Sequence, residues 1–172
     1  MIVTDTAPVA PRVDELKRAR LARRVLLTLF ATVLALGATG RLGVRTAHAR
    51  ASGGGYDLVV EYPRVTRPGH AVPLSVRVHK GGGFGGEPIQ VRVSTGYFAL
   101  FDENGVQPAP SMETATATHV MWEFDPPPGD VLRIYFDTRS GPNRQRGTTG
   151  EVAVLANGVP VVGVTIRTTV MP

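Results

Sequence analysis

Residues Val25 to Gly40 (VLLTLFATVLALGATG) form the only long run without a charged side chain, and Arg23 and Arg24 stand directly before it. Its sixteen uncharged residues fall short of the ~20 that a helix needs to cross the hydrocarbon of a bilayer. Continuing through Arg41, whose long side chain can snorkel, to Val44 supplies that length. The expectation is a transmembrane helix over 25–44. It divides the chain into a basic tail, 1–24, and everything that follows.

The charges around this run set its orientation. Six basic residues precede it (Arg12, Lys17, Arg18, Arg20, Arg23 and Arg24), and three follow (Arg41, Arg45 and Arg50). This excess on the N-terminal side predicts a cytoplasmic N-terminus and a C-terminal part outside the cell membrane. Val13 to Arg24 carries its acids early and its basic residues late, which suits a helix dipole. A short helix on anionic lipid and a solvated basic flank both fit that stretch. The net charge of +5 resembles a nucleic-acid signal only until it is divided. Residues 1–50 hold nine basic and three acidic residues, whereas 51–172 hold ten and eleven. The part beyond the run is nearly neutral, so nucleic acid is not an expected partner.

Export followed by cleavage is the alternative. Ala47-His48-Ala49 and Ala49-Arg50-Ala51 both fit a small-x-small cleavage site. Arg23-Arg24 ahead of Val25 also looks a little like a twin-arginine signal. Against cleavage, Ala49 lies nine residues beyond Gly40, with Arg41 and Arg45 between, and the n-region is long. A retained anchor is therefore the leading expectation, with a secreted protein cut near Ala49 or Ala51 as the alternative. Residues 45–55, rich in Gly and Ala, read as a flexible linker.

From Tyr56 the apolar residues recur every second position. Tyr56, Leu58, Val60 and Tyr62 share one face; Leu74, Val76 and Val78 another; Ile89, Val91 and Val93 a third. Tyr97–Phe101 reads as a short strand ending in a turn at Asp102-Glu103-Asn104-Gly105, and Val106–Thr114 as irregular. Thr116–Phe124 follows, with Trp122 toward the core, and then Val131–Phe136 after a proline corner. Glu151–Ala156 and Val161–Thr169 flank Asn157-Gly158, which supplies the positive φ angles of a tight hairpin. About eight short strands with no further helix predict an all-β domain over 56–172, an antiparallel sandwich. Tyr56–Val78, a strand, a Pro-Gly turn and a second strand, resembles the opening of immunoglobulin-like and fibronectin-type domains. That resemblance implies an immunoglobulin-like sandwich of seven or eight strands, although the disulfide of antibody domains is absent because the chain has no cysteine. A fold of this kind does not specify a function.

Chemistry is sparsely signalled. The four histidines form no ligand spacing with each other or with an acid, so no metal or cofactor is expected. No serine sits in a nucleophile motif, and no carboxylate pair marks acid–base work, so the chain does not read as an enzyme. Gly81–Gly86 lies between two strands and lacks the lysine of a phosphate loop. Its Phe84 is either tucked against the domain or offered to a partner. Arg139, Arg144 and Arg146 lie in one loop without a nearby acid and suit a phosphate or carboxylate ligand. Phe84 and these three arginines are the candidate partner-binding residues. The expected partners are the lipid bilayer and another membrane protein or an anionic envelope component. The whole reads as a single-pass anchored, non-catalytic binding module at the cell envelope.

Overall fold

The structure is a computed structural model that describes residues 13–39, 43–142 and 146–171. It divides into two compact units, Met1–Gly43 and Val44–Pro172. The first contains one helix, α1 (Val13–Ala38), of 26 residues. The expected juxtamembrane helix and the apolar run are therefore a single rod. Its side chains from Lys17 onward are exposed on every face, including Leu26, Phe30 and Leu34. The 22 residues Lys17–Ala38 are long and apolar enough to cross a membrane, and at 1.5 Å per residue they span about 33 Å. The expected span over 25–44 needs correction: the helix ends at Ala38, and Val44 already belongs to the second unit. The missing length comes from the arginine-bearing N-terminal side. Thr32 and Thr39 donate their hydroxyls to the carbonyls of Thr28 and Leu36, so neither needs an outside partner.

The second unit is mostly β. Its strands are β1 (Arg45–Gly53), β2 (Tyr56–Thr66), β3 (Ala71–Lys80), β4 (Ile89–Ser94), β5 (Phe101–Gln107), β6 (Met112–Ala115), β7 (His119–Phe124), β8 (Val131–Ser140), β9 (Thr148–Ala156) and β10 (Val159–Val170). A single helical turn, α2 (Thr95–Phe98), precedes β5. Together the strands form one curled sheet in the order β5-β8-β3-β2-β10-β9-β4-β7-β6, with β1 paired to β2. All neighbours are antiparallel except β2 and β10, which meet in parallel over Thr169↔Val65 and Val170↔Thr66.

The alternating residues do what their period predicts. Leu58, Val60, Leu74, Val76, Val78, Val91, Val93, Ile134 and Trp122 are buried in one core. The two halves of the curled sheet meet through aromatic rings. Trp122 of β7 lies 5.0 Å from Phe136 of β8, and Phe98 of α2 meets both edge-on at 4.9 and 5.9 Å. Such edge-to-face pairs add to the burial of apolar area. The final hairpin turns where expected, with Asn157 and Gly158 at φ 52° and 76°.

Five stretches differ from expectation. Residues 45–55 are not a linker: Arg45–Gly53 is β1, paired antiparallel with β2 from Arg45↔Val65 to Gly53↔Tyr56. Ala47, Ala49, Ala51 and Gly53 are half-buried while His48, Arg50 and Ser52 are exposed. The inward residues must be small, because a Cβ on Gly53 would stand 2.8 Å from the Val161 carbonyl. The predicted strand Tyr97–Phe101 is not one: strand structure begins only at Phe101, the first residue of β5. Tyr97, Leu100 and Phe101 are all buried, and their i, i+3, i+4 spacing is that of a helical turn. Asp102–Gly105 is not a hairpin turn but part of β5, where the register with β8 shifts between Glu103 and Gly105; turn-forming residues have become a bulge. Residues Met112–Ala115 form β6, entirely exposed and without any apolar period, held by pairing with β7. Thr116–Thr118 turns instead of extending, its hydroxyl at Thr116 accepting the N–H groups of Thr118 and His119.

β5 and β6 end the sheet path, and they carry Glu103 and Glu113. Burial raises the Glu103 carboxyl above its ordinary 4.5, and the charge of Glu113 raises it further. A raised carboxylate favours the fold while protonated and costs stability once pH climbs through its folded pKa. Glu103→Gln is therefore expected to raise the melting temperature at pH 7, with the gain shrinking toward pH 4, as followed by thermal unfolding at both pH values.

Candidate functional site

The predicted contact residues separate in space. Phe84 is in the core, 3% exposed, with its ring 6.5 Å from that of Tyr56. Gly82, Gly83, Gly85 and Gly86 all have positive φ. They curl the loop so that the one bulky residue between them points inward. A buried ring cannot meet a partner, so Phe84 is withdrawn from the candidate contact surface. Arg139 is not in a loop either: it is an exposed residue of β8, opposite Ala71 on one side and Asp102 on the other. Arg146 is exposed beyond it. Arg144 lies outside the described residues.

The strands bring two other groups of polar side chains together, at opposite ends of the sheet. At the end farther along the chain from α1, called distal here, His79 stands between two acids. Its Nδ1 is 3.2 Å from Asp57 and its Nε2 is 3.4 Å from Asp130. Asp57 comes from β2, directly opposite His79, and Asp130 from the turn before β8. Ser52 donates its hydroxyl to Asp57 as well. These residues are 5 to 78 positions apart in the chain, which hid the cluster from any spacing rule.

The order of contacts decides what the cluster can do. Serine bonds the carboxylate and not the imidazole, so the histidine has no hydroxyl to activate. The two acids face different ring nitrogens and do not converge on one point. Among the described residues no group of three His, Cys, Asp or Glu is arranged to hold a metal ion. The arrangement is a polar clasp tying β1, β2, β3 and the turn before β8. The Ser52 hydroxyl, then His79, hold the Asp57 carboxyl below its ordinary value.

At the proximal end, where the chain enters β1, a groove of about 670 Å³ opens where β1 and β10 meet the end of β2. Arg45, Arg64 and Arg167 line it with the hydroxyl residues Thr46, Tyr62 and Thr169. All three arginines are exposed. Nearby, the turn between β2 and β3 is pinned to β8 by Gly69 N–H to the Ser140 carbonyl, 2.8 Å, and Ser140 N–H to the His70 carbonyl, 2.9 Å. This places Arg67 and Arg139 at the same end. The clustering of Arg139 and Arg146 was visible in the sequence; Arg64 and Arg167, about a hundred positions apart, were not.

Beneath the groove a buried relay fixes the strands. Thr168 donates to the Pro63 carbonyl, and Tyr97 lies 2.8 Å from the same threonine oxygen. Thr168 has only one proton to give, so Tyr97 is the donor to it. Burial drives the Tyr97 phenol far above its ordinary range, which keeps it neutral and donating. Compared with known proteins, the chain matches no family model and no curated protein sequence.

Two outcomes check the placements. Phe84→Ala is expected to cost about 3–5 kcal/mol of stability, read from denaturant unfolding with the lone, fully buried Trp122 as the fluorescent reporter. Asp57 has a lowered carboxyl, so its contacts stabilise the fold above that pKa and are lost as pH falls through it. Asp57→Asn is expected to lower the melting temperature at pH 7, with the loss shrinking as pH falls through the lowered carboxyl pKa, as followed by thermal unfolding across that range.

Proposed function

We propose that this chain is a single-pass membrane-anchored protein whose β unit is an extracytoplasmic binding module at the cell envelope, non-catalytic, with the N-terminus in the cytoplasm. The helix Lys17–Ala38 supports the anchor through its length, its apolar composition and its exposure on every face. Arginines on its N-terminal third point back toward the helix N-terminus, as helical side chains do, which suits snorkelling to a cytoplasmic surface and the positive-inside bias.

The observation that carries the reading is β1. Cleavage after Ala49 removes Arg45–Ala49 from a strand paired with β2 over its whole length. Cleavage after Ala51 removes still more. The alternation that imitates a cleavage site has a structural cause instead: small residues face inward where β10 passes close. An intact β1 favours the retained anchor over the secreted alternative.

An immunoglobulin-like sandwich is the finer reading of the curled sheet. Its support is the facing of β7 and β8 through Trp122 and Phe136, and the parallel contact that returns the last strand to β2. A binding role fits an arrangement in which the polar groups form surface clasps and a cationic groove. The partner we infer is an anionic component at or near the membrane, met by the proximal arginines.

Two measurements test this. The intact mass of the protein from membranes is expected to include residues 1–51; a mature N-terminus at Arg50 or Ser52 overturns the anchor. Leu34→Arg, at a helix position that an anchor holds in hydrocarbon, is expected to cost insertion about 3 kcal/mol and to shift the chain out of the carbonate-resistant membrane fraction. Unchanged retention of this variant also counts against a spanning helix.

A further inference from the structure

We propose that the proximal end of the β unit docks on the phosphate groups of an anionic lipid surface, with Arg64 and Arg167 as the principal contacts. This deepens the anchored reading and rests on it. The first observation is the groove itself. Three guanidinium groups and three hydroxyl side chains line it, without a carboxylate. Among the described residues, no acid lies within salt-bridge distance of Arg64 or Arg167. Guanidinium forks match phosphate oxygens in geometry, and hydroxyls complete the donor set.

The second observation is the separation of charge along the strands. Among the described residues, the proximal connections 67–70, 95–100, 116–118, 141–142 and 146–147 contain Arg67 and Arg146 and no acid at all. The strand ends beside them add Arg45, Arg64, Arg139 and Arg167, against Asp102 opposite Arg139 and its neighbour Glu103. The distal connections have the opposite sign. Residues 81–88 and 125–130 contain Glu87, Asp125 and Asp130 and no basic residue. The unit as a whole is close to neutral, yet one end is cationic and the other anionic. Such a dipole orients its cationic end toward an anionic surface.

The third is the length of the tether. Seven residues lead from Ala38 to Arg45, a path of at most about 25 Å when fully extended. A span ending at Ala38 thus leaves β1 beginning within reach of the headgroup layer. Because the cationic end is the tethered end, lipid phosphate is favoured over a distant soluble ligand. Each arginine near an anionic membrane surface contributes enough attraction to shift the docking equilibrium about fivefold.

The test uses the full chain in nanodiscs of phosphatidylcholine, with and without phosphatidylglycerol, followed by hydrogen exchange. Anionic lipid is expected to slow exchange at residues 64–70 and 139–142 and to leave 81–88 and 125–130 unchanged. High salt is expected to abolish the effect. Arg64→Gln with Arg167→Gln is expected to weaken it by about fivefold per arginine. Arg77→Gln with Arg133→Gln, which removes equal charge from facing mid-sheet positions, is expected to leave it intact. Equal exchange in both lipids overturns the proposal, as does an equal loss from the mid-sheet pair. Protection by free inorganic phosphate in the neutral nanodisc also overturns it, by assigning the groove to a soluble anion. Carbonate extraction of the unmodified chain is read separately: release from the membrane defeats the anchor itself, whereas retention with no lipid-dependent protection defeats only the docking.

Discussion

The hydroxyl of Thr168 is the point on which the β unit closes. It is buried, it gives its proton to the Pro63 carbonyl of β2, and it takes one from Tyr97 of α2. Over the next two residues, Thr169 and Val170, β10 pairs with β2 in parallel. A hydroxyl can serve both sides at once because it donates one bond and accepts another. An apolar residue of the same shape leaves two buried polar groups without partners, each at a cost of about 1–3 kcal/mol. Room for the tyrosine depends on Gly150, where a Cβ would lie 2.2 Å from that of Tyr97. Closure and the seat of α2 thus share one small set of atoms.

Much of the core was legible because strand burial has a period of two. The inward residues of β2, β3, β4 and β8 could be named from alternation alone. Trp122 could be placed for the same reason. Failures came where that signal was weak or imitated. β1 turns alanines and a glycine inward, so its alternation carried almost no hydropathy and looked like a spacer. β6 has no buried residue, and only its partner makes it a strand. Tyr97, Leu100 and Phe101 sit in an apolar stretch that reads equally as strand or helix over so short a length. The helix α1 was recognised from composition, but its last residue is Ala38 and not Val44, and its first turns lie among the charged residues before Val25. Arginines that end a hydrophobic run in a one-dimensional plot can still belong to the same continuous helix.

The polar groups were less legible, for a topological reason. Asp57, His79 and Asp130 meet because β2 and β3 pair in one register and the turn before β8 joins them. Arg64 and Arg167 meet because the last strand returns to the second. Neither contact leaves a local trace. The division of charge did leave one: acids gather in one set of connections and arginines in the other. Only the strand order reveals that these sets lie at opposite ends. Phe84 shows the converse. A lone aromatic on a glycine tether left display and concealment both open, and the structure buries it.

The pairing of β1 has a mechanical side. The tether joins the β unit at Arg45, the first residue of a strand bonded to β2 along its entire length. A pull transmitted through that joint along the strand loads the rungs of the ladder together, in shear. Had the tether joined at Gly53, the same pull would open them one at a time. The last strand also ends near this joint, with Met171 N–H bonded to the Thr66 carbonyl at 2.8 Å. On the anchored reading proposed above, load would therefore enter the unit through β1 and its ladder with β2.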